Sequence, residues 1–563
     1  MKSVNGINWE LKTIPERLIL KNKQRYDISY LLSKIYIEKN YSDEEIFNNL
    51  NKSQTKKLFY INDDFKHAGK LLTECFKDKK KILIFGDYDV DGYSSMYMLY
   101  DFFSNLNIEF DYYIPNRHLD GYGPNIKLLK KLLYNNNYSL VIFVDCGSNS
   151  LDEINYLENM GLKTIIIDHH QIQHHKLFKN TIIINPLKDS KKINYHFLCA
   201  GSLVYYFIKF LTIEFKFKNI NLKEYSFFAA IATICDQMPI RGYNKVIVME
   251  GFENLNLIKS HSIKKLLNLK SKVTSTKIGF ELGPLLNSAS RLGYSNLPFD
   301  LLIEKRKINI DKIVNKLIII NEKRKKIQKE TFFILNNKSN IFKSEVIFLF
   351  KENINEGLLG IIASKYVEMY NKPCFMLTNS KSIIKCSSRS INGFDIGNLI
   401  YLAIQERIIL SGGGHSMAGG CSLKKNKLND FKKFINIHYN KIFKNSKNIK
   451  YYSSEQNFIS LLKFAKKEFK FLEPLGNNNS NPLFLIKKNK VIKMKIINET
   501  HLQLIIKNKH NLSCRCFAFN AIGTKLGYKL MNLKSEIDLI VQINNNFIQK
   551  NSDFNLIIKD AIV

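Results

Sequence analysis

Near-continuous apolar runs that end in acidic residues recur in the first half of the chain. The run at 80–85, KKILIF, precedes GDYDVDG; the run at 139–144, SLVIFV, precedes Asp145; the run at 162–167, LKTIII, precedes Asp168. Segments of helical character lie between these runs, and this alternation predicts a parallel α/β sheet. Because the runs are apolar at nearly every position, we expect both faces of the sheet to be covered.

The pattern changes several times along the rest of the chain. A helical preface is predicted at the start, where Ser42 and Glu45 form a capping box. A second α/β region follows a helical connector, and the last part alternates in short apolar segments that predict a small β-barrel. The predicted boundaries are 1–60, 61–250, 251–337, 338–448 and 449–563.

The connector contains a long predicted helix, from about 301 to 337. Its apolar stripe has helical spacing and consists of Ile313, Leu317, Ile320 and Ile327. We expect the stripe to pack in a core and the basic run at 323–326 to form a solvated face.

Charge and composition narrow the functional classes. Lys and Arg total 85 against 50 Asp and Glu, a formal net charge of +35, which favours a polyanionic partner such as nucleic acid or an acidic membrane surface. AT-rich codons also produce a chain rich in Lys, Asn and Ile, so the net charge alone does not establish a polyanionic partner. No run approaches ~18 apolar residues, which argues against a membrane span. The absence of a secretory signal and nine scattered cysteines favour the cytoplasm.

Acidic residues accumulate where the predicted strands and one apolar helix end. They are Asp87, Asp89, Asp91, Asp145, Asp168 and Asp236. Ligands of open α/β sheets bind at the carboxyl ends of strands, and crowded carboxylates are costly to bury without cations. With His169 and His170 beside them, these side chains suit Mn²⁺ or Mg²⁺, whereas no thiolates have the spacing of a structural zinc site.

Several motifs together resemble the DHH family of metal-dependent phosphoesterases. They are GDYDVDG, VDCG, DHH at 168–170 and ATICDQMP. Five further motifs are similar to the RecJ branch, the single-strand-specific 5′→3′ DNA exonucleases: PNRHLDGYG at 115–123, NSASRLG at 287–293, CSSRSINGFD at 386–395, GGGHSMAGG at 412–420 and EPLGNNNSNPLF at 473–484. The resemblance implies a parallel-sheet DHH catalytic domain, a DHH-associated α/β domain joined to it by a long helix, and a C-terminal OB-like barrel.

The resemblance also implies roles for individual residues. Two divalent ions, Mn²⁺ or Mg²⁺, would be held by Asp87, Asp89, Asp145, His169 and Asp236, with Asp145 between them. Asp91 and His170 would be supporting or catalytic groups, and Asp168 would orient a histidine. The DNA and its 5′ phosphate would be bound by Arg117, Asn287, Arg291, Ser387, Arg389 and His415. The glycines around His415 have two readings, a phosphate-binding loop or a tight packing turn.

The function that the resemblance implies is degradation of single-stranded DNA from its 5′ end to mononucleotides, in recombination and repair. The protein would act as a cytoplasmic monomer, with a helicase and a single-strand-binding protein as partners. Two alternatives remain: a DHH phosphoesterase of short oligonucleotides or cyclic dinucleotides, and a DNA-binding relative without metals. In the barrel, Phe517 and Phe519 share one face of a strand, and we expect at least one of them to pack in the core.

Overall fold

The computed structural model describes most of the chain. The described residues are 1–51, 62–77, 81–172, 176, 178–188, 197–258, 260–267, 273–336, 344–380, 382–443, 449–508, 511–533, 535–544 and 555–562. The end of the predicted preface therefore lies outside the described residues.

The N-terminal region is one strand followed by three helices. They are β1 (Asn8–Leu11), α1 (Glu16–Tyr26), α2 (Tyr30–Glu38) and α3 (Asp43–Leu50). The predicted capping box is present at α3, where the Ser42 side chain accepts from Glu45 N and the Glu45 carboxylate accepts from Ser42 N.

The first lobe is an α/β unit built on five parallel strands. Its elements are α4 (Asp63–Lys77), β2 (Lys81–Phe85), α5 (Val90–Asn105), β3 (Phe110–Tyr113), α6 (Ile126–Leu133), β4 (Tyr138–Val144), α7 (Leu151–Asn159), β5 (Lys163–Ile167) and β6 (Thr181–Ile184). The strand order is β3-β2-β4-β5-β6. The central strands are buried on both faces, as the continuous apolar runs predict. Because all five strands are parallel, their carboxyl ends lie together at one edge of the sheet.

Helices follow this sheet and lead to the second lobe. They are α8 (Ala200–Glu214), α9 (Leu222–Cys235), α10 (Gly242–Glu253), α11 (His261–Leu267), α12 (Ser275–Lys277), α13 (Gly283–Arg291), α14 (Leu297–Ile303) and α15 (Lys307–Asn336). The long helix α15 buries Leu317 and Ile320 of the predicted stripe. The expectation of a wholly solvated basic run is wrong at Arg324, which is buried and bonds to Asn321 because it falls on the inner face of the helix.

The second lobe has a mixed five-stranded sheet. It contains β7 (Ile347–Phe350), α16 (Glu356–Tyr370), β8 (Cys374–Ser380), β9 (Ile383–Arg389), α17 (Ile396–Gln405), β10 (Ser411–His415), β11 (Ala418–Lys424) and α18 (Leu428–Phe443). The order is β10-β11-β9-β8-β7. The glycine motif forms the β10–β11 hairpin, with His415 at its tip.

The C-terminal region closes into a five-stranded β-barrel. Its elements are β12 (Ile449–Tyr452), β13 (Ser454–Glu455), α19 (Phe458–Lys467), β14 (Phe484–Ile497), β15 (His501–Lys507), β16 (Ser513–Ala518), α20 (Lys525–Met531), β17 (Ile537–Ile543) and β18 (Asn555–Ile562). Closure comes from the β14–β17 pairing. The N-terminal region packs here: β1 pairs with β12, and the apolar sides of α2 and α3 share a core with the barrel.

The predicted core packing of Phe517 or Phe519 is wrong. Cys514, Cys516 and Ala518 of the same strand point into the barrel, so the two phenylalanines lie on its outer face. Phe519 is 51% exposed, and the two rings stack with centroids 6.0 Å apart.

No helix within the described ranges combines the length and the apolar character that crossing a bilayer requires.

Candidate metal centre

The loop after β2 brings three carboxylates to the carboxyl edge of the first sheet. Asp89 caps α5, its carboxylate accepting from the backbone N–H groups of Asp91 and Gly92 at 2.9 and 3.1 Å. A Cβ at Gly92 would lie 2.4 Å from the carbonyl oxygen of Asp87, so this tight approach requires glycine. Asn287 of α13 supports the same loop, because its side-chain oxygen accepts from Val90 N at 3.0 Å.

Asp145 and Asp168 follow the two adjacent strands, β4 and β5. Asp145 has a φ of +61°, in the left-handed region, and its N–H donates to the carbonyl of Ile167. This turn directs a carboxylate that is only 2% exposed towards the loop after β2. Left-handed backbone is uncommon for residues other than glycine and is tolerated best by Asp and Asn.

Asp236 reaches the same edge from a helix. It is the C-cap of α9, and its carboxylate lies 3.4 Å from His169 Nε2. The C-terminus of a helix carries partial negative charge, so a carboxylate is held there at an electrostatic cost that a cation removes.

The ligand atoms of these residues form three overlapping groups, each spanning no more than 4.8 Å. The groups are Asp87–Asp89–Asp145, Asp145–His169–His170 and Asp91–His169–Asp236. Asp145 belongs to two groups and His169 to two. Asp91 thus lies among the possible ligands, and its carboxylate also accepts from the N–H groups of Ala200 and Gly201 at 2.9 and 2.7 Å.

The crowding of buried carboxylates shifts their protonation. Burial, followed by the neighbouring Asp89 charge, raises the pKa of Asp87 to about 8 and that of Asp91 to about 6. Burial and the Asp91 carboxylate likewise raise the pKa of Asp145 and of Asp236. Burial first, and mutual repulsion second, thus disfavour four negative charges at this site, and a bound cation would offset both effects.

Asp168 has a different environment from the other carboxylates. Its oxygens accept from the N–H groups of Ser148 and His169 and from the ring Nδ1 of His170, the last at 2.7 Å. Although burial alone would raise the pKa of Asp168, the His170 charge and hydrogen bond lower it. Burial alone would lower the pKa of His170, but the charge of Asp168 and its hydrogen bond outweigh burial and raise that pKa to about 9. Asp168 thus orients His170, while burial and the His170 charge lower the pKa of His169 to about 3 and keep its ring neutral.

Two further groups face His170. The hydroxyl of Tyr122 donates to the carbonyl of Asp145 at 3.1 Å and lies 3.2 Å from His170 Nδ1. His415, at the tip of the β10–β11 hairpin, stacks on His170 with ring centroids 5.6 Å apart. The motif PNRHLDGYG contains Tyr122, but sequence reasoning did not single it out, since only the fold brings this loop to the carboxylates.

Three arginines from different elements lie together beside the metal centre. Arg117 lies against the Tyr88 ring at 5.1 Å, Arg291 donates to the carbonyl of Gly357 at 2.8 Å, and Arg389 donates to the carbonyl of Ser388 at 2.8 Å. Burial, then the charges of Arg117 and Arg389, lower the pKa of Arg291 to about 9.

The arginines are short of negative partners. Within the described part of the chain, no carboxylate lies in ion-pair distance of the Arg117, Arg291 or Arg389 guanidinium groups. A Cβ at Gly360 would lie 2.8 Å from Arg389 Nη2 and 3.0 Å from Ser387 Oγ, so glycine leaves room for both side chains. Three cations without a contact ion pair among the described residues, with a nearby hydroxyl, form a pocket suited to a phosphate group.

Three family models match the chain in succession. They are the DHH family N-terminal domain at 81–233, the DHHA1 domain at 338–440 and the RecJ OB domain at 462–560.

Two curated relatives are both described as single-stranded-DNA-specific exonuclease RecJ. The protein of Bacillus subtilis is 27% identical over 523 residues, which are 88% of this chain and 63% of the relative. The protein of Haemophilus influenzae is 26% identical over 393 residues, 66% of this chain and 68% of the relative. The chain therefore spans less than two thirds of the length of the Bacillus protein.

A solved structure of Thermus thermophilus RecJ in complex with Mn²⁺ has the same fold. Its TM-score is 0.81 at 20% identity, with 98% of this chain and 79% of that chain covered. The Mg²⁺ complex of that protein gives a TM-score of 0.76 at 19% identity, with 99% and 78% covered. With the three family models matched in this order on one chain, the protein is similar to the RecJ branch of the DHH family in domain order and in fold.

Proposed function

We propose that this protein is a metal-dependent 5′→3′ exonuclease that degrades single-stranded DNA to mononucleotides in recombination and repair. The observation that carries the proposal is the juxtaposition of a buried carboxylate–imidazole cluster with a pocket of three arginines that have no contact ion pair among the described residues. The cluster suits hydrolysis of a phosphodiester, and the arginine pocket suits a terminal phosphate beside it.

The donor set of the cluster fits hard or borderline cations. Its ligand atoms are carboxylate oxygens and imidazole nitrogens, and among the described residues Asp87 Oδ1 and Asp236 Oδ2 have no hydrogen-bond partner. Within the described residues, the groups of possible ligands contain no cysteine, which argues against a thiolate zinc site. We therefore propose two Mn²⁺ or Mg²⁺ ions, held by Asp87, Asp89, Asp91, Asp145, His169 and Asp236.

Each part of the site then has a chemical task. Two such ions would supply a hydroxide nucleophile at neutral pH and stabilise charge on the phosphoryl and leaving oxygens. Asp145, shared between two ligand groups, would hold both. Asp168 keeps the His170 ring in place for proton transfer, and His415 faces the same point from the second lobe.

The arginine pocket would set the polarity of cleavage. A 5′-terminal phosphate can accept forked hydrogen bonds from Arg389 and Arg117, with Ser387 as a further donor. A strand held by its 5′ phosphate in this way presents the adjacent diester to the carboxylate cluster. Asn287 supports the loop after β2, so we propose that it acts through that loop rather than on phosphate.

The outer face of the barrel offers a path for the rest of the strand. Phe517 lies opposite Gln503, which lies opposite Lys495, so all three share the outer face. Lys493 and Arg515 flank Ile505 on that face in the same way. Stacked aromatic rings among cations are typical of surfaces that bind single strands without regard to sequence.

A substrate comparison tests the proposal. A 5′-labelled single strand, the same strand as a duplex, and a dinucleotide would be offered with Mn²⁺, with Mg²⁺ or with EDTA. We expect metal-dependent loss of the 5′ label from the single strand as mononucleotide. Turnover of the dinucleotide alone would favour a phosphoesterase of short substrates, and binding without turnover would favour a non-enzymatic relative. A monomer in the cytoplasm that works with a helicase and a single-strand-binding protein completes the proposal.

A further inference from the structure

The segment that follows Asp236 is held by residues far from it in sequence. Gln237 follows the C-cap of α9 with a φ of +55°, and α10 begins at Gly242. Between them the chain turns through 238–241, immediately after a candidate metal ligand. The contacts that fix this turn come from the loop of the motif EPLGNNNSNPLF, at 473–484, and from the N-terminal helices.

The loop before β14 is hydrogen-bonded to both ends of the turn. The side-chain amide of Asn477 donates to the carbonyl of Gln237 at 2.5 Å, and the N–H of Ile240 donates to the carbonyl of Asn477 at 2.8 Å. Gly476 packs against Ile240 so closely that a Cβ on it would lie 2.5 Å from Ile240 Cγ1. Asn477 thus accepts and donates across the same turn, and Gly476 allows the approach.

The loop is itself rigidly supported. Asn479 is fully buried, and its amide donates to the carbonyls of Leu472 and Pro474 at 2.7 and 2.9 Å. Its side-chain oxygen accepts from Lys39 Nζ at 2.9 Å, which joins the loop to the end of α2. Gly476 and Asn479 exchange backbone hydrogen bonds of 3.1 Å.

The N-terminal helices hold the last residue of the turn. The Arg241 guanidinium forms an ion pair with Glu45, and it donates to the carbonyls of Lys39 and Asn40 at 3.0 and 2.7 Å. It also lies over the Tyr41 ring at 4.5 Å. These helices share a hydrophobic core with the barrel. The contacts on the two sides of the turn, from the helices and from the loop before β14, therefore come from one packed unit.

Asp236 needs such support because its surroundings repel it. Its carboxylate faces the charges of Asp91 and Asp89 and stands at the C-terminus of α9. A free turn would let the carboxylate swing away from His169. The hydrogen bond from Asn477 to the carbonyl of Gln237, the residue after Asp236, restrains the backbone from which the Asp236 side chain projects.

We infer that Asn477 is a positioning residue for Asp236, through which the barrel-side loop increases the affinity of the metal centre for its cation. This inference rests on the proposed metal-dependent function. According to this inference, the motif at 473–484 lies next to the barrel but supports a metal ligand of the first lobe.

Titration of the metal-free full-length protein with Mn²⁺ tests the inference. Asn477→Ala should weaken Mn²⁺ binding about tenfold, the lower end of the ~10–100-fold effect of residues that support metal ligands. The matched control is Asn481→Ala, in the same loop, whose amide donates to the barrel carbonyl of Ile543 at 2.8 Å. It should leave Mn²⁺ affinity within twofold. Affinity for single-stranded DNA in EDTA should be the same in both variants.

A second pair of variants covers the case in which Asn477→Ala does not fold. Gly476→Ala should weaken Mn²⁺ binding by forcing Ile240 away, and adding Ile240→Ala should restore part of the affinity because it removes the clashing atoms. Melting temperatures of the two variants, measured alongside, separate this effect from a general loss of stability.

The possible outcomes are distinct. If Asp236→Asn weakens Mn²⁺ binding while Asn477→Ala and Gly476→Ala do not, the positioning role is overturned and the metal centre stands. An equal loss in Asn481→Ala also overturns it, since the effect would then belong to the loop as a whole. If the parent protein binds no Mn²⁺, the proposed function and this inference both fail.

Discussion

The Asp145 carboxylate and the His169 imidazole approach to 3.4 Å at the adjoining ends of β4 and β5. The parallel register, in which Val144 pairs with Ile167, places the residues that follow the two strands side by side. Asp145 also groups with Asp87 and Asp89, so it is the carboxylate that links the two sides of the cluster.

Replacing Asp145 should abolish hydrolysis without abolishing DNA binding. We expect Asp145→Asn to lower kcat on single-stranded DNA by at least about 1000-fold, because loss of a shared ligand disrupts both cation positions. Gel-shift affinity for the same strand should change less than threefold. Asp152→Asn, an exposed acid in the first turn of α7, is the matched control. Activity of Asp145→Asn near that of the control would contradict the two-cation assignment.

The metal-free protein should lose stability as the pH rises. The folded-state pKa values of Asp87 and Asp91, about 8 and 6, lie above the ordinary value of 3.8, so their contribution to the free energy of unfolding is present below about pH 4 and lost as the pH rises through 6 to 8. Melting temperatures in EDTA should therefore fall over this range. Saturating Mn²⁺ should remove the fall, since a bound cation offsets the charges. A flat profile in EDTA would argue against the crowding described here.

Arg389 should determine the preference for a 5′ phosphate. Arg389→Lys keeps the charge but loses the forked geometry, so we expect KM for a 5′-phosphorylated strand to rise about tenfold with a smaller change for a 5′-hydroxyl strand. Comparing kcat/KM for the two strands measures the effect. Arg407→Lys, exposed on the same lobe, should change neither value. An equal loss on both strands would place Arg389 on the strand path instead of at its end.

Tyr122 should support catalysis through its hydroxyl. Tyr122→Phe removes the contacts with the Asp145 carbonyl and with His170 but keeps the ring. We expect kcat to fall about tenfold, consistent with the loss of one or two hydrogen bonds, while KM for DNA stays constant. Tyr134→Phe is the control, because that exposed tyrosine precedes β4 at the opposite edge of the sheet. An unchanged kcat in Tyr122→Phe would remove Tyr122 from the site.

The outer face of the barrel should contribute stacking and charge separately. Phe517→Ala and Phe519→Ala should each weaken single-strand binding by about 1–3 kcal/mol, the usual range for base stacking on an aromatic ring. Lys493→Gln and Lys495→Gln should each reduce the slope of log K against log salt by about 0.7. Fluorescence anisotropy at several salt concentrations measures both, with Tyr134→Ala as control. No change in any of the four would exclude this face from the strand path.

Local patterns predicted the first sheet and most of the carboxylate cluster. Asp145 and Asp168 directly follow apolar strands, and Asp87 follows one after a single glycine. Parallel strands bring their carboxyl ends to one edge, so chain order was enough to predict convergence. The face of Phe517 and Phe519 was not predictable in this way. Alternation shows that they share a face, but barrel closure decides which face is the core.

By itself, the sequence determined the strand ends, the acidic and histidine candidate ligands and the family resemblance, because these depend on short-range order along the chain. Only the tertiary structure decided that Tyr122 faces His170, that Arg117, Arg291 and Arg389 form one pocket, and that Asn477 holds Gln237. Each of these contacts joins segments from different lobes or loops. Their proximity follows from how helices, sheets and barrel pack together, and packing depends on the whole buried surface rather than on any local pattern.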